Sequence, residues 1–238
     1  MPINTHPPET FNFIAQVERI YASLIQSASA DSGPSLGGKL LYAGELDEPG
    51  SILAIAGNIA GAATLAASAN AITLRQAMRN GTIDFLVNSL DEALRILKNQ
   101  IRKREPVSVA VSLAPAAIIE EMLDRGVLPD LLPPLQASAT ELDPATFTAQ
   151  GAQRLPAAPS RPSRKFLLWQ IPDEFAQRPA AFDALLLGHL PSNDLIARRW
   201  LHQSPRYLGP QFRRLRSLRC DEEAALNLID VLGSPLEH

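Results

Sequence analysis

Three carboxylates, Glu45, Asp47 and Glu48, crowd one short turn bounded by Gly44 and Gly50 and followed by Ser51. Acidic oxygens at such density can hold an amine or a hard divalent cation, with Glu141 or Asp143 completing the set. The spacing fits no calcium-binding loop, so no metal is assigned; a solvated acidic loop that favours the start of the following helix explains the same residues. Ser68, Asn70 and Asn88 each stand just after an apolar run, where a polar side chain can bond a ligand or simply cap a helix or turn. The candidate ligand crevice is therefore Gly44, Glu45, Asp47, Glu48, Gly50, Ser51, Ser68, Asn70, Asn88 and Asp143. No catalytic residue is assigned: Ser108 and Ser112 sit in an apolar run without a neighbouring base.

The remaining reactive side chains carry less. His6, His189, His202 and His238 show no metal-ligand spacing, and Cys220, the single cysteine, excludes an intrachain disulfide and a cysteine-based zinc cluster. Arg219 would lower the Cys220 pKa and the acids Asp221 and Glu222 would raise it, so an inert thiol is expected. Arg198, Arg199, Arg206, Arg213, Arg214, Arg216 and Arg219 form a basic stretch without one acid, leaving 15 of the 22 basic residues to set against all 25 acidic ones. Trp200, Tyr207 and Phe212 interleave it, a pattern seen where single-stranded nucleic acid stacks. The charge imbalance instead favours docking of this segment on an acidic surface, its own or a second copy's, since guanidinium forks suit such contacts. A homo-oligomer joined through residues 198–219 is expected, with no nucleic-acid partner and no membrane.

The elements that would position these groups alternate. Phe11, Ile14, Val17, Ile20, Tyr21, Leu24 and Ile25 recur at helical spacing. Strands are predicted at Lys39–Gly44, Ala63–Ser68, Ile83–Val87, Val107–Leu113 and Asp130–Leu135. Helices are predicted between them at Ser51–Ala60, Ala71–Arg79, Ser89–Arg104 and Pro115–Arg125. Ser89 with Glu92 makes a capping box, and Asn80-Gly81 and Gly126 are helix stops. Strand–helix alternation of this length implies a parallel sheet covered by helices. Residues 133–164, rich in Pro, Ala, Ser and Thr, read as a long loop; 20 prolines are about 8% of the chain against a usual ~5%. Lys165–Ile171 reads as one more strand, and the rest as helices at Ala180–Leu187, Asn193–His202 and Asp221–Leu232.

The segments Leu36–Gly57 (LGGKLLYAGELDEPGSILAIAG) and Arg79–Leu132 (RNGTIDFLVNSLDEALRILKNQIRKREPVSVAVSLAPAAIIEEMLDRGVLPDLL) resemble urocanase, specifically its Rossmann-like NAD-binding domain. The pieces Leu90-Asp91-Glu92-Ala93-Leu94-Arg95 and Arg125-Gly126-Val127-Leu128-Pro129-Asp130 carry most of the likeness, which covers roughly residues 36–135. The resemblance implies a Rossmann-like fold and a glycine-rich cradle for the NAD pyrophosphate after the first strand. Only Gly44 and Gly50 remain of that cradle, Pro49 lacks an amide donor, and acids stand where phosphate would sit. The acid that would hold a ribose is replaced by Ala67-Ser68-Ala69-Asn70. The family's Asp-Gln-Thr-Ser-Ala-His-Asp-Pro segment is reduced to Asp143-Pro144, and the larger urocanase core is absent. NAD is accordingly disfavoured and no cofactor is assigned.

With 238 residues, 46% hydrophobic content and a net charge of -3, the chain reads as globular rather than disordered or broadly basic. Met1–Thr10 has no secretory pattern and Ile52–Ala69 is too interrupted to span a membrane, so a cytoplasmic setting is expected. The expected fold is a three-layer α/β, Rossmann-like, mostly parallel sheet with an N-terminal helix (1–172), then a helical arginine-rich extension (173–235). Residues 236–238 read as a tag remnant. The expected function is a small-ligand-binding or regulatory module with a degenerate NAD site and no stand-alone hydratase activity. The alternatives are an assembly protein dimerising through its terminal helices, and an NAD-dependent, urocanase-like hydratase completed by a partner chain.

Overall fold

The computed structural model describes residues 8–27, 33–133, 145–156, 164–233 and 235. They form two compact units, one of residues 20–159 and one of residues 1–19 with 160–238, the boundary falling inside the first helix, α1 (Pro8–Gln26).

The unit of residues 20–159 carries a six-stranded sheet in which every pairing is parallel: β1 (Leu40–Glu45), β2 (Ala63–Ala67), β3 (Phe85–Val87), β4 (Val107–Val111), β5 (Leu131–Leu132) and β6 (Gln153–Arg154). Their order is β3-β4-β2-β1-β5-β6. The connecting helices are α2 (Glu48–Ala60), α3 (Ala71–Asn80), α4 (Leu90–Lys103), α5 (Pro115–Asp124) and the short α6 (Ala145–Ala149). Alternate residues of a strand face opposite sides, and both sides are used. Leu40, Tyr42, Leu65, Val107, Val109 and Val111 pack with α4, α5 and Phe147 of α6. Leu41 and Thr64, of opposite parity, meet α2, where a Cβ on Gly57 would lie 2.8 and 2.7 Å from their side chains. Burial on both faces is why β2 and β4 are apolar but for the buried Thr64 and Ser108. The expected α/β, Rossmann-like architecture is present.

Local signals act as anticipated. Ser89 Oγ accepts from Glu92 N–H at 3.3 Å, the first half of a capping box, while Glu92 Oε2 accepts from the N–H of Asn88, one residue before the cap, at 3.0 Å. Asp130 explains its own position: Oδ2 accepts from Leu40 N–H at 2.8 Å and Oδ1 from Lys39 Nζ at 2.9 Å, stitching the start of β5 to the start of β1. The stretch expected to be a loop, 133–164, contains α6 and the edge strand β6 among its described residues.

The second unit corrects two expectations. The run Lys165–Ile171, expected within the domain 1–172, forms β7 (Arg164–Gln170), which pairs antiparallel with β8 (Leu215–Asp221) in a separate two-stranded sheet. The extension expected to be helical therefore contains a strand, built from the arginine-rich segment, beside α7 (Pro179–Gly188), α8 (Leu195–Tyr207) and α9 (Glu222–Leu232). Leu167, Trp169, Phe182, Leu186, Leu201, Leu218 and Leu228 make its core. On the other face of the ribbon, Phe166 meets Phe11 of α1 edge-on at 5.2 Å, and Trp200 Nε1 donates to Ser217 O at 2.9 Å. Residues 236–238 lie outside the described residues.

Candidate functional site

In an open parallel sheet, ligands bind beyond the carboxyl ends of the strands, where the chain reverses its direction of travel across the sheet. Here β2 lies on one side of β1 and β5 on the other, so the turn after β1 sits at that point. Gly44 takes φ 80°, which favours glycine, and lets the strand end turn sharply. Leu46, two residues on, is fully buried and donates its N–H to Ala67 O at 2.9 Å. Asp47 then caps α2: its carboxylate accepts from Gly50 N–H at 2.9 Å, and its carbonyl accepts from Ser51 N–H at 2.9 Å. A Cβ on Gly50 would stand 1.9 Å from Glu45 O, so only glycine lets the helix start this close to the strand end. Both retained glycines thus have work in the backbone path itself.

The donors that a phosphate would use are few in this turn. Pro49 has none, the N–H groups of Leu46 and Ser51 are held by carbonyls, and that of Gly50 is held by a carboxylate. Asp47 and Glu48 are exposed and Glu45 is half-buried, so negative charge faces outward where a helix N-terminus would otherwise attract anions. Beneath the turn, Tyr42 is buried and its hydroxyl donates to Pro115 O at 3.4 Å. Burial, with Glu45 adding to it, pushes the phenol above its ordinary range, so it stays protonated.

The other candidates separate. Ser68 is buried at the end of β2 and its Oγ accepts from Asn70 N–H at 3.2 Å. Asn70 caps α3, accepting from Ile72 and Thr73 N–H at 2.9 and 3.3 Å. Both lie one strand from the turn, but their polar atoms serve the backbone. Asn88 does not join them. It follows β3 at the far edge, three strands from β1, roughly 14 Å at ~4.8 Å per strand. Ser112, passed over as a ligand residue, follows β4, which the strand order inserts between β2 and β3; no spacing in the sequence announces that insertion. Asp143 and Glu141 lie outside the described residues. Among the described residues, no group of three or more His, Cys, Asp or Glu could hold a metal ion.

Elsewhere, Cys220 is buried and its thiol is pushed up to about 11, by burial first and Asp221 second, which keeps it unreactive. The basic stretch finds acids within its own unit. Arg216 forks onto Asp183, Arg219 Nε reaches Glu18 Oε2 at 2.5 Å while lying over the Phe166 ring, and Arg214 bonds Asp173 at 2.8 Å. Arg198 caps α7 by donating to Leu187 O and Leu190 O. No helix among the described residues is long and apolar enough to cross a membrane.

Comparison with known proteins bears on the first unit. Part of the chain is 28% identical over 116 residues to a protein named S-methyl thiourocanate hydratase from Variovorax sp. (strain JCM 16519 / RA8), covering 49% of this chain and 21% of the relative. The chain thus spans about a fifth of that relative's length. Residues 17–158, more than half of the chain, match the family model of the urocanase Rossmann-like domain, and these limits nearly coincide with the compact unit of residues 20–159. Sheet, capped helices and sequence match agree on one assignment: the chain belongs to the urocanase Rossmann-like domain family.

Proposed function

We propose that the chain is a small-ligand-binding or regulatory module that keeps the urocanase Rossmann-like scaffold but has lost its dinucleotide site. The observation that carries this reading is the Asp47 carboxylate bonded to Gly50 N–H at the start of α2. It places a fixed negative charge on a donor that a pyrophosphate would need. A phosphate arriving there also meets Glu48, each like-charge contact at ~4 Å costing about 1 kcal/mol even in water-like dielectric. A ligand over residues 44–51 is then neutral or cationic. The relative's name denotes a hydratase, but this chain spans only 21% of it, and the proposal assigns no stand-alone hydratase activity. Assembly through the arginine-rich segment is the weaker reading, because Arg214, Arg216 and Arg219 already bond acids in the same chain.

The test is thermal unfolding of the full chain with NAD, NADH, urocanate, divalent cations and a panel of non-phosphorylated small metabolites other than amino acids. A ligand at ~100 times its Kd adds about 2.7 kcal/mol, a shift readily measured. Stabilisation by a panel member, with NAD and NADH inert, is the expected result. Stabilisation by NAD, or NAD retained through purification, overturns it. No stabilisation by anything, with a concentration-dependent dimer in light scattering, replaces it with the assembly role.

A further inference from the structure

The opposite edge of the same sheet holds a concavity, at the amino ends of β1, β5 and β6. Its charged residues are the Lys39–Asp130 pair, with side chains 48% and 38% exposed, so both remain open to a ligand. The pair carries no net charge yet offers both signs: Lys39 Nζ has three donors and spends one on Asp130, and each Asp130 oxygen accepts one bond and keeps a further lone pair. Gln153 and Ser35 add uncharged polar groups beside it, the Ser35 hydroxyl already accepting from Gly37 N–H at 3.1 Å. Ser27 also lines it, its hydroxyl donating to Ser23 O at 3.3 Å, and the apolar part of the wall is leucine and proline. Leu36 and Leu131 are buried behind it, and Leu128 stands at the rim with 38% of its surface exposed.

We propose that this pocket binds the head group of a zwitterionic, apolar α-amino acid, its carboxylate on Lys39, its ammonium on Asp130 and its side chain against Leu128. The two charges of an α-amino acid are about as far apart as the 2.9 Å Lys39–Asp130 contact, so the four groups close a square of alternating sign. A simple anion gains Lys39 but meets Asp130, and a simple cation meets the reverse. Only a ligand carrying both charges satisfies the pair without breaking it. This site shares no residue with the turn at 44–51, and the two proposals stand or fall separately.

Titration of the isotopically labelled full chain with L-leucine, followed by amide chemical shifts, tests it. Saturable shifts are expected at Lys39, Leu40, Asp130 and Gln153, with L-leucinamide, 4-methylpentanoate and inorganic phosphate each binding at least about tenfold more weakly. Lys39→Met should weaken leucine binding by a similar factor in a chain that still unfolds cooperatively, since an exposed pair adds little stability. Leu128→Ala, at an exposed rim position the core does not use, should weaken it several-fold should Lys39→Met fail to fold. Absence of saturable shifts at about 10 mM leucine, equal binding of 4-methylpentanoate or phosphate, or unchanged affinity in both variants overturns the proposal.

Discussion

The two units differ in whether any of their ion pairs are buried. In residues 20–159 the ion pairs stay at the surface: Lys39–Asp130 is about half exposed, and Arg125 holds Asp91 and Glu121 in the open. The other unit also keeps exposed pairs, Lys165–Glu222 and Arg214–Asp173, but among the described residues it alone puts ion pairs inside. Arg216 is 5% exposed against Asp183, and Glu18 is equally buried against Arg219. A parallel sheet wrapped by helices can fill both faces with Val, Leu and Ala. The two-stranded ribbon β7–β8, also covered on both faces, fills part of its faces with paired guanidinium groups. Removing one member of such a pair leaves a buried charge unmatched, whereas removing a surface partner leaves a charge that water solvates.

The largest expected effect follows from that difference. Arg216→Met should destabilise its unit by about 3 kcal/mol, the lower end of the range for a broken buried pair, because Asp183 keeps some contact with water. The double variant Arg216→Met with Asp183→Leu should recover most of the loss. Trp169 and Trp200 both lie in this unit and the chain has no other tryptophan, so urea unfolding followed by tryptophan fluorescence reads it directly. A loss below about 1 kcal/mol would put Arg216 with the surface pairs and erase the contrast.

The contrast also explains what could be read from sequence. β2, β4 and the capped α4 were legible because strand burial writes an apolar run and Ser89-x-x-Glu92 writes a helix start. β8 was not, because its period-two signal is carried by arginine: Arg216 and Leu218 share one face, Ser217 and Arg219 the other, and both faces are covered. β6 is only Gln153–Arg154, too short to leave a pattern. The placement of the candidate residues was half legible. Gly44, Asp47 and Gly50 fall at the expected turn. Strand order, set by which crossovers pack and not by spacing, carried Asn88 away and brought Ser112 inward.

Within the first unit the tight point is steric. Gly50→Ala would place a Cβ 1.9 Å from Glu45 O, and neither helix start nor strand end can yield without the other. The expected cost is about 2–3 kcal/mol. Gly44→Ala has open space around it and bears only the left-handed backbone penalty, about 1–2 kcal/mol. Amide exchange at Leu41–Glu45 should quicken more in the first variant than in the second. Equal effects would mean that the turn tolerates a wider gap between β1 and α2, which would reopen room for a phosphate beneath the helix.

The smallest effect belongs to Asp91. The hydrogen bond from Arg125, with that guanidinium's charge behind it, holds its carboxyl below the usual range, while Arg125 keeps Glu121 as a second partner. A carboxyl depressed in the folded chain binds its proton more readily once unfolded. The pair's contribution is therefore present above the ordinary Asp range, near ~3.9, and fades as pH falls through the lower folded value. Unfolding midpoints of the wild type and Asp91→Asn should differ slightly near neutrality and converge in acid. About 1 M salt, with a screening length near ~3 Å, should close the same gap while leaving that of Arg216→Met open. If salt closed both, Arg216 and Asp183 would be meeting water after all, and the two units would differ in topology but not in where they keep their charge.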